Sequence, residues 1–201
     1  MLRAFGCSFT YGTSCKNPAT DSWPVLLSKM LKTDCKNYGL SGASNDYFFK
    51  TISENINQFD KDDIIVVMMT QPNRRYFRKN NIMPNNNGET AKVYYKYIND
   101  DQGDYINFLQ NLNAYHNILK AHKYLITFID ARPLLECNEY NLGAVAKDKK
   151  NTYIPKNLGL NRYIEEIDYL HPSNKGHKQI AQELYKGYFN VQKNKRTTKI
   201  N

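Results

Sequence analysis

Residues 62–69, DDIIVVMM, end in an unbroken apolar row. A strand with one wet face alternates apolar and polar residues. A short run without alternation instead reads as a strand covered on both faces, as at the centre of a parallel sheet. Residues 124–130, YLITFID, repeat the pattern, and residues 2–7, LRAFGC, give a shorter version of it. Residues 35–40, CKNYGL, form a weaker strand that ends in a glycine turn. Segments with helical spacing lie between these strands. In 21–32, Asp21 or Ser22 can cap a helix with Pro24 in its first turn, and Leu26, Leu27, Met30 and Leu31 recur on one stripe. Helices also follow over 45–59, with Phe48, Ile52 and Ile56 aligned, over 104–123, and over 174–189, with Ile180, Leu184 and Tyr188 aligned. Strands alternating with helices imply right-handed crossovers and an α/β fold with helices on both faces of a parallel sheet.

The chain has 201 residues, 41% of them hydrophobic and 23% charged, which fits one globular domain over 1–189 and a basic tail over 190–201 that is expected to be flexible. No apolar run reaches the length of a membrane span, and the opening MLRAFGCSF lacks a signal peptide's apolar region, so a cytoplasmic location is expected. Cys7, Cys15, Cys35 and Cys137 show no metal-binding spacing and read as free thiols. The net charge of +9 gathers in KDKK at 147–150 and in the tail. Such charge either draws an anionic partner, such as nucleic acid, lipid or polysaccharide, or simply solvates the surface. Residues 71–103 and 131–167 have no clear period and read as long loops, which in a compact domain are usually functional or mobile.

Ligands of parallel α/β sheets collect at the carboxyl ends of the strands. Ser8, in FGCSFTYG, stands just past the end of the first strand. A serine hydroxyl becomes a nucleophile only when a base takes its proton. His116 and His122 lie on the long helix, and His177 lies in the last one. His171, in IDYLHPSNKGH, is followed by Pro172, which favours a turn at that point, and Asp168 precedes it by three residues. An Asp-x-x-His turn lets the carboxylate receive the Nδ1–H and leaves Nε2 to face a serine. Cys7 is the other thinkable nucleophile, but neighbours on an extended segment alternate sides, so it is expected to face the core.

GCSFTYG, NYGLSGAS after the second strand, QPN after the third and DYLHP before the last helix resemble, in order and spacing, the four blocks of the SGNH/GDSL hydrolase superfamily. The resemblance spans residue 3 to about residue 185. It implies a three-layer α/β/α sandwich with a flavodoxin-like parallel sheet. It further implies Ser8 as nucleophile, His171 as base and Asp168 as its partner, with an oxyanion hole formed by the backbone N–H groups of Ser8 and Gly42 and the side-chain amide of Asn73. The physics fits those types. Glycine lets the backbone approach a ligand, an asparagine amide donates without ionising, and fixed donors stabilise the charge that acyl transfer builds on oxygen. The chain departs from the family pattern at Cys7, where aspartate is common. It departs again at Gln71-Pro72-Asn73-Arg74, where Gly-x-Asn-Asp is common, which leaves Thr70 and Asn45 as alternative donors. GLSGAS lacks the phosphate-loop pattern, and GCSFT is not the G-x-S-x-G elbow.

Arg74, Arg75, Tyr76, Phe77 and Arg78 interleave cations with aromatics and either bind substrate, a sugar or an anionic polymer, or pack a loop. The expected function is a serine esterase that needs neither cofactor nor metal and acts on a small ester, such as O-acetyl on a carbohydrate. An O-acyltransferase is chemically close. The rival from another class is a protein that keeps this fold without the activity and binds nucleic acid or an acidic glycan through its basic surface.

Overall fold

The computed structural model describes residues 1–77, 80–84, 88–130, 151–153 and 171–197, with side chains described as far as Phe189 in the last helix. Four strands form one parallel sheet: β1 (Leu2–Phe5), β2 (Cys35–Asn37), β3 (Ile64–Met69) and β6 (Lys123–Phe128), in the order β2-β1-β3-β6. Leu2 pairs with both Cys35 and Ile64, and Val67 pairs with Phe5 and Ile126. A single parallel bridge from Ile126 to Thr152 extends the β6 edge. The unbroken apolar row has the burial it implied: Ile65 through Met69 are all buried, between neighbouring strands and beneath helices on each face.

The strand order fixes the layers. The crossover from β1 to β2 runs one way across the sheet and carries α3 (Trp23–Leu31), with α1 (Ser8–Tyr11) and α2 (Pro18–Asp21) ahead of it. The crossovers from β2 to β3 and from β3 to β6 run the other way and carry α4 (Asn45–Asn55) and α6 (Asp101–Leu119). Right-handed connections in opposite directions put their helices on opposite faces. Accordingly α4 packs against α6, while α3 packs against the final helix, α7 (Asn174–Thr197). The result is the expected three-layer α/β/α sandwich. Trp23, Leu27, Ile180 and Leu184 belong to the buried core, as do Phe48, Ile52, Phe108 and Tyr115.

Several expected boundaries change. Helix α7 continues past Phe189 to Thr197, so most of the basic tail is helical backbone rather than a separate segment. Helix α6 starts at Asp101 because Asp100 caps it, accepting from the N–H groups of Gln102 and Gly103. Ser22 stands at the N-cap position of α3, but its hydroxyl makes no capping hydrogen bond. The largest correction concerns 71–103, which is no plain loop. It folds into an antiparallel hairpin of β4 (Arg75–Phe77) and β5 (Asn80–Ile82), followed by α5 (Glu89–Tyr97). Its strands are short and carry little apolar alternation, which hides them from a pattern reading. Of the other long stretch, 131–167, only 151–153 lies among the described residues.

Candidate active site

Strand β1 delivers the chain to Gly6, where a Cβ would lie 2.0 Å from Thr10 Oγ1, so only glycine lets α1 fold back this tightly. Ser8 is the first residue of α1, a single turn that Gly12 ends in the left-handed conformation at φ 93°. His171 arrives from the far end of the chain. Pro172 follows it, and Ser173 then starts α7, accepting from Gly176 N–H through its hydroxyl and from His177 N–H through its carbonyl. Three further bonds fix this junction beside α1. Lys16 N–H donates to Asn174 Oδ1, Asn174 Nδ2 donates to Asp21 Oδ2, and Trp23 N–H donates to His177 Nδ1. Together they bring His171 Nε2 to 2.8 Å from Ser8 Oγ, across 163 residues of sequence. The Phe9 ring lies against the imidazole, with centroids 5.9 Å apart.

His177, six residues further on, has a different character. Its Nδ1 accepts from Trp23 N–H, which places its proton on Nε2, a buried atom without a hydrogen-bond partner among the described residues. Burial, reinforced by the charge of nearby His171, pushes its pKa down to about 4. It is a neutral structural imidazole. Cys7 is buried as expected, but strand alternation is not the reason: the strand ends at Phe5, Cys7 precedes α1 as its N-cap, and its Sγ lies 3.8 Å from Ser8 Oγ.

Gly42 occupies the loop between β2 and α4 at φ 77°, a conformation that glycine adopts freely. That loop is sewn to the serine turn. Leu40 N–H donates to Gly6 O, Asn37 Nδ2 donates to Thr10 O, and Gly39 packs so closely that a Cβ would fall 2.3 Å from Tyr11 N. Neither the Ser8 nor the Gly42 N–H donates to a protein acceptor among the described residues. Asn73 follows β3, and its carbonyl accepts from Tyr95 O–H, while its side-chain Oδ1 is buried with no partner among the described residues.

The alternative donors are placed otherwise. Asn45 closes a two-point clasp on Thr70, its Nδ2 donating to Thr70 O and its Oδ1 accepting from Thr70 N–H. Its amide is thereby committed to holding the end of β3 against α4. The Thr70 hydroxyl is buried without a partner among the described residues. Arg75, one of the candidate substrate contacts, is spent on the protein, donating to Tyr94 O–H, Gly103 O and Asp104 Oδ1. Tyr76 packs its ring on Tyr47 and donates its N–H to Asp46. Both residues thus make packing contacts. Arg74 keeps one guanidinium nitrogen buried and unpartnered among the described residues. Asp168 and Arg78 lie outside the described residues. The Asn45 clasp, the Asn81 bond to Ser44 and the Tyr95 bridge were missed in the sequence, because each joins segments that only tertiary structure brings together.

No protein-family model and no curated protein matches the sequence. Solved structures do match. A member of the lipolytic G-D-S-L family from Veillonella parvula is 16% identical, with a TM-score of 0.55 over 90% of this chain and 94% of that one. The psychrotrophic esterase EstA from Pseudoalteromonas, in a structure inhibited by monoethylphosphonate, is 11% identical, with a TM-score of 0.59 over 96% and 98%. A carbohydrate esterase of family 2 with a carbohydrate-binding domain, from Corynascus thermopiles, is 13% identical, with a TM-score of 0.58 over 95% of this chain and 66% of that one. Matched over nearly its whole length to these proteins, the chain has the fold of the SGNH/GDSL hydrolases.

Proposed function

We propose that the protein is a serine esterase whose nucleophile is Ser8. The observation that carries this reading is the 2.8 Å contact between Ser8 Oγ and His171 Nε2. His171 takes the hydroxyl proton as Oγ bonds to the ester carbonyl carbon. The carbonyl oxygen becomes an oxyanion held by Ser8 N–H, Gly42 N–H and the Asn73 amide nitrogen, the first two uncommitted within the described protein. The oxyanion then collapses, the carbon–oxygen bond to the alcohol breaks, and the alcohol leaves with the proton from His171. Water, deprotonated by the same imidazole, attacks the acyl-enzyme and frees the acid and Ser8. Asp168 has the place in the chain from which a carboxylate receives His171 Nδ1–H. Neutral His177 does not compete for the proton, since its own pKa lies at about 4.

The proposed substrate is an ester with a small acyl group, such as acetyl on a carbohydrate hydroxyl. The fold shared with a carbohydrate esterase supports the substrate class. Turnover of p-nitrophenyl acetate tests the reaction. Ser8→Ala is expected to lose at least about a thousandfold in kcat, and a fluorophosphonate is expected to label wild-type Ser8 and no other serine. Equal rates in the two proteins would refute the assignment.

A further inference from the structure

The β4–β5 hairpin is tied to two of the three segments that carry the proposed oxyanion donors, those of Gly42 and Asn73. Asn81 Oδ1 accepts from the N–H and the hydroxyl of Ser44, two residues past Gly42. Tyr95 O–H donates to both Ile82 O and Asn73 O, joining the hairpin to the Asn73 turn. Met83 follows directly, half-buried, with its methyl on the loop: a Cβ built on Gly42 would lie 3.2 Å from Met83 Cε. The two ties fix the strand end that carries Met83 beside the glycine.

Tetrahedral geometry limits where each group of the substrate can lie. The carbon attacked by Ser8 carries the oxyanion, the leaving alcohol and the acyl substituent. The alcohol must sit beside His171, which protonates it, and the oxyanion must point at Gly42 N–H. The acyl substituent takes the remaining direction, away from His171. We infer that this direction runs past Met83, whose methyl rests on the Gly42 loop, and that Met83 is the specificity-determining wall of the acyl pocket, restricting the substrate to short acyl groups. The inference rests on the serine-esterase reading and adds the residue that sets chain length.

The test uses two alkyl fluorophosphonates, ethyl and hexyl, on the full chain. In each, Ser8 Oγ bonds to phosphorus, the P–F bond breaks, and fluoride leaves while His171 takes the serine proton. Wild type is expected to react faster with the ethyl probe. Met83→Ala is expected to raise the hexyl-to-ethyl rate ratio by about tenfold or more, the usual scale for hydrophobic pocket discrimination, and Met83→Leu to leave the ratio near the wild-type value. Circular dichroism of each variant separates unfolding from altered preference. An unchanged ratio in folded Met83→Ala, with Ser8 still labelled, overturns this inference alone. So does a change in selectivity confined to the alcohol part across a series of acetate esters. Failure of both probes to label wild-type Ser8 overturns the serine reading, and this inference with it.

Discussion

At the residue scale, the site depends on positions where an ordinary substitution meets both strain and a neighbour. Gly42 combines φ 77° with a methyl group that a Cβ would press to 3.2 Å. An L-residue in the left-handed region costs about 1–2 kcal/mol. Gly42→Ala is therefore expected to lower stability by about 1 kcal/mol and to reduce kcat/KM on p-nitrophenyl acetate by tenfold or more, because the loop must shift and carry its N–H with it. Steady-state kinetics beside a denaturant titration would show whether the catalytic loss exceeds the stability loss. Ser8, Gly42 and His171 could be picked out of the sequence because their types and order suffice to suggest a role. The commitment of Asn45 to Thr70 could not, since an asparagine that clasps backbone and one that serves a ligand have the same letter.

At the element scale, helices α3 and α7 are joined at their starts by one imidazole. His177 accepts the Trp23 N–H, an otherwise orphaned donor of a helix first turn, and does so only when neutral. Its native pKa of about 4 lies below the ordinary 6.5, so between those values the unfolded chain binds more protons than the folded one. The stability from this group is complete above pH 6.5 and is lost as pH falls towards about 4. Unfolding midpoints measured across that window should fall with pH in wild type and flatten in His177→Gln, whose amide oxygen accepts the same N–H in any protonation state. Elements differ in how openly the sequence announces them. Strand β3 needs burial on two faces, and its apolar row shows this directly. The hairpin and α5 gain their order from contacts with the main body, such as Arg75 on Asp104 and Tyr95 on Asn73, so their own composition reads as loop.

At the scale of the whole molecule, the first strand is anchored by buried charge. Arg3 Nε meets Asp63 Oδ2 at 2.5 Å, the Met1 ammonium meets the other oxygen at 2.7 Å, and Arg3 reaches on to Gln58 O. Burial alone would raise the Asp63 pKa, but hydrogen bonds from the Met1 ammonium and Arg3 outweigh it and hold the carboxyl below its ordinary 3.8. A depressed carboxylate stabilises the fold above that value, and the contribution is lost as pH falls through the lower native one. Asp63→Asn should thus cost about 3 kcal/mol at neutral pH, a gap that thermal melts should show closing in strong acid. Ser8 stands on that anchored strand's exit, while its imidazole partner comes 163 residues later. Any chain that still lacks residue 171 therefore holds Ser8 without that imidazole. On the serine-esterase reading, a serine-directed label would then report docking of the segment around His171 rather than mere presence of the chain.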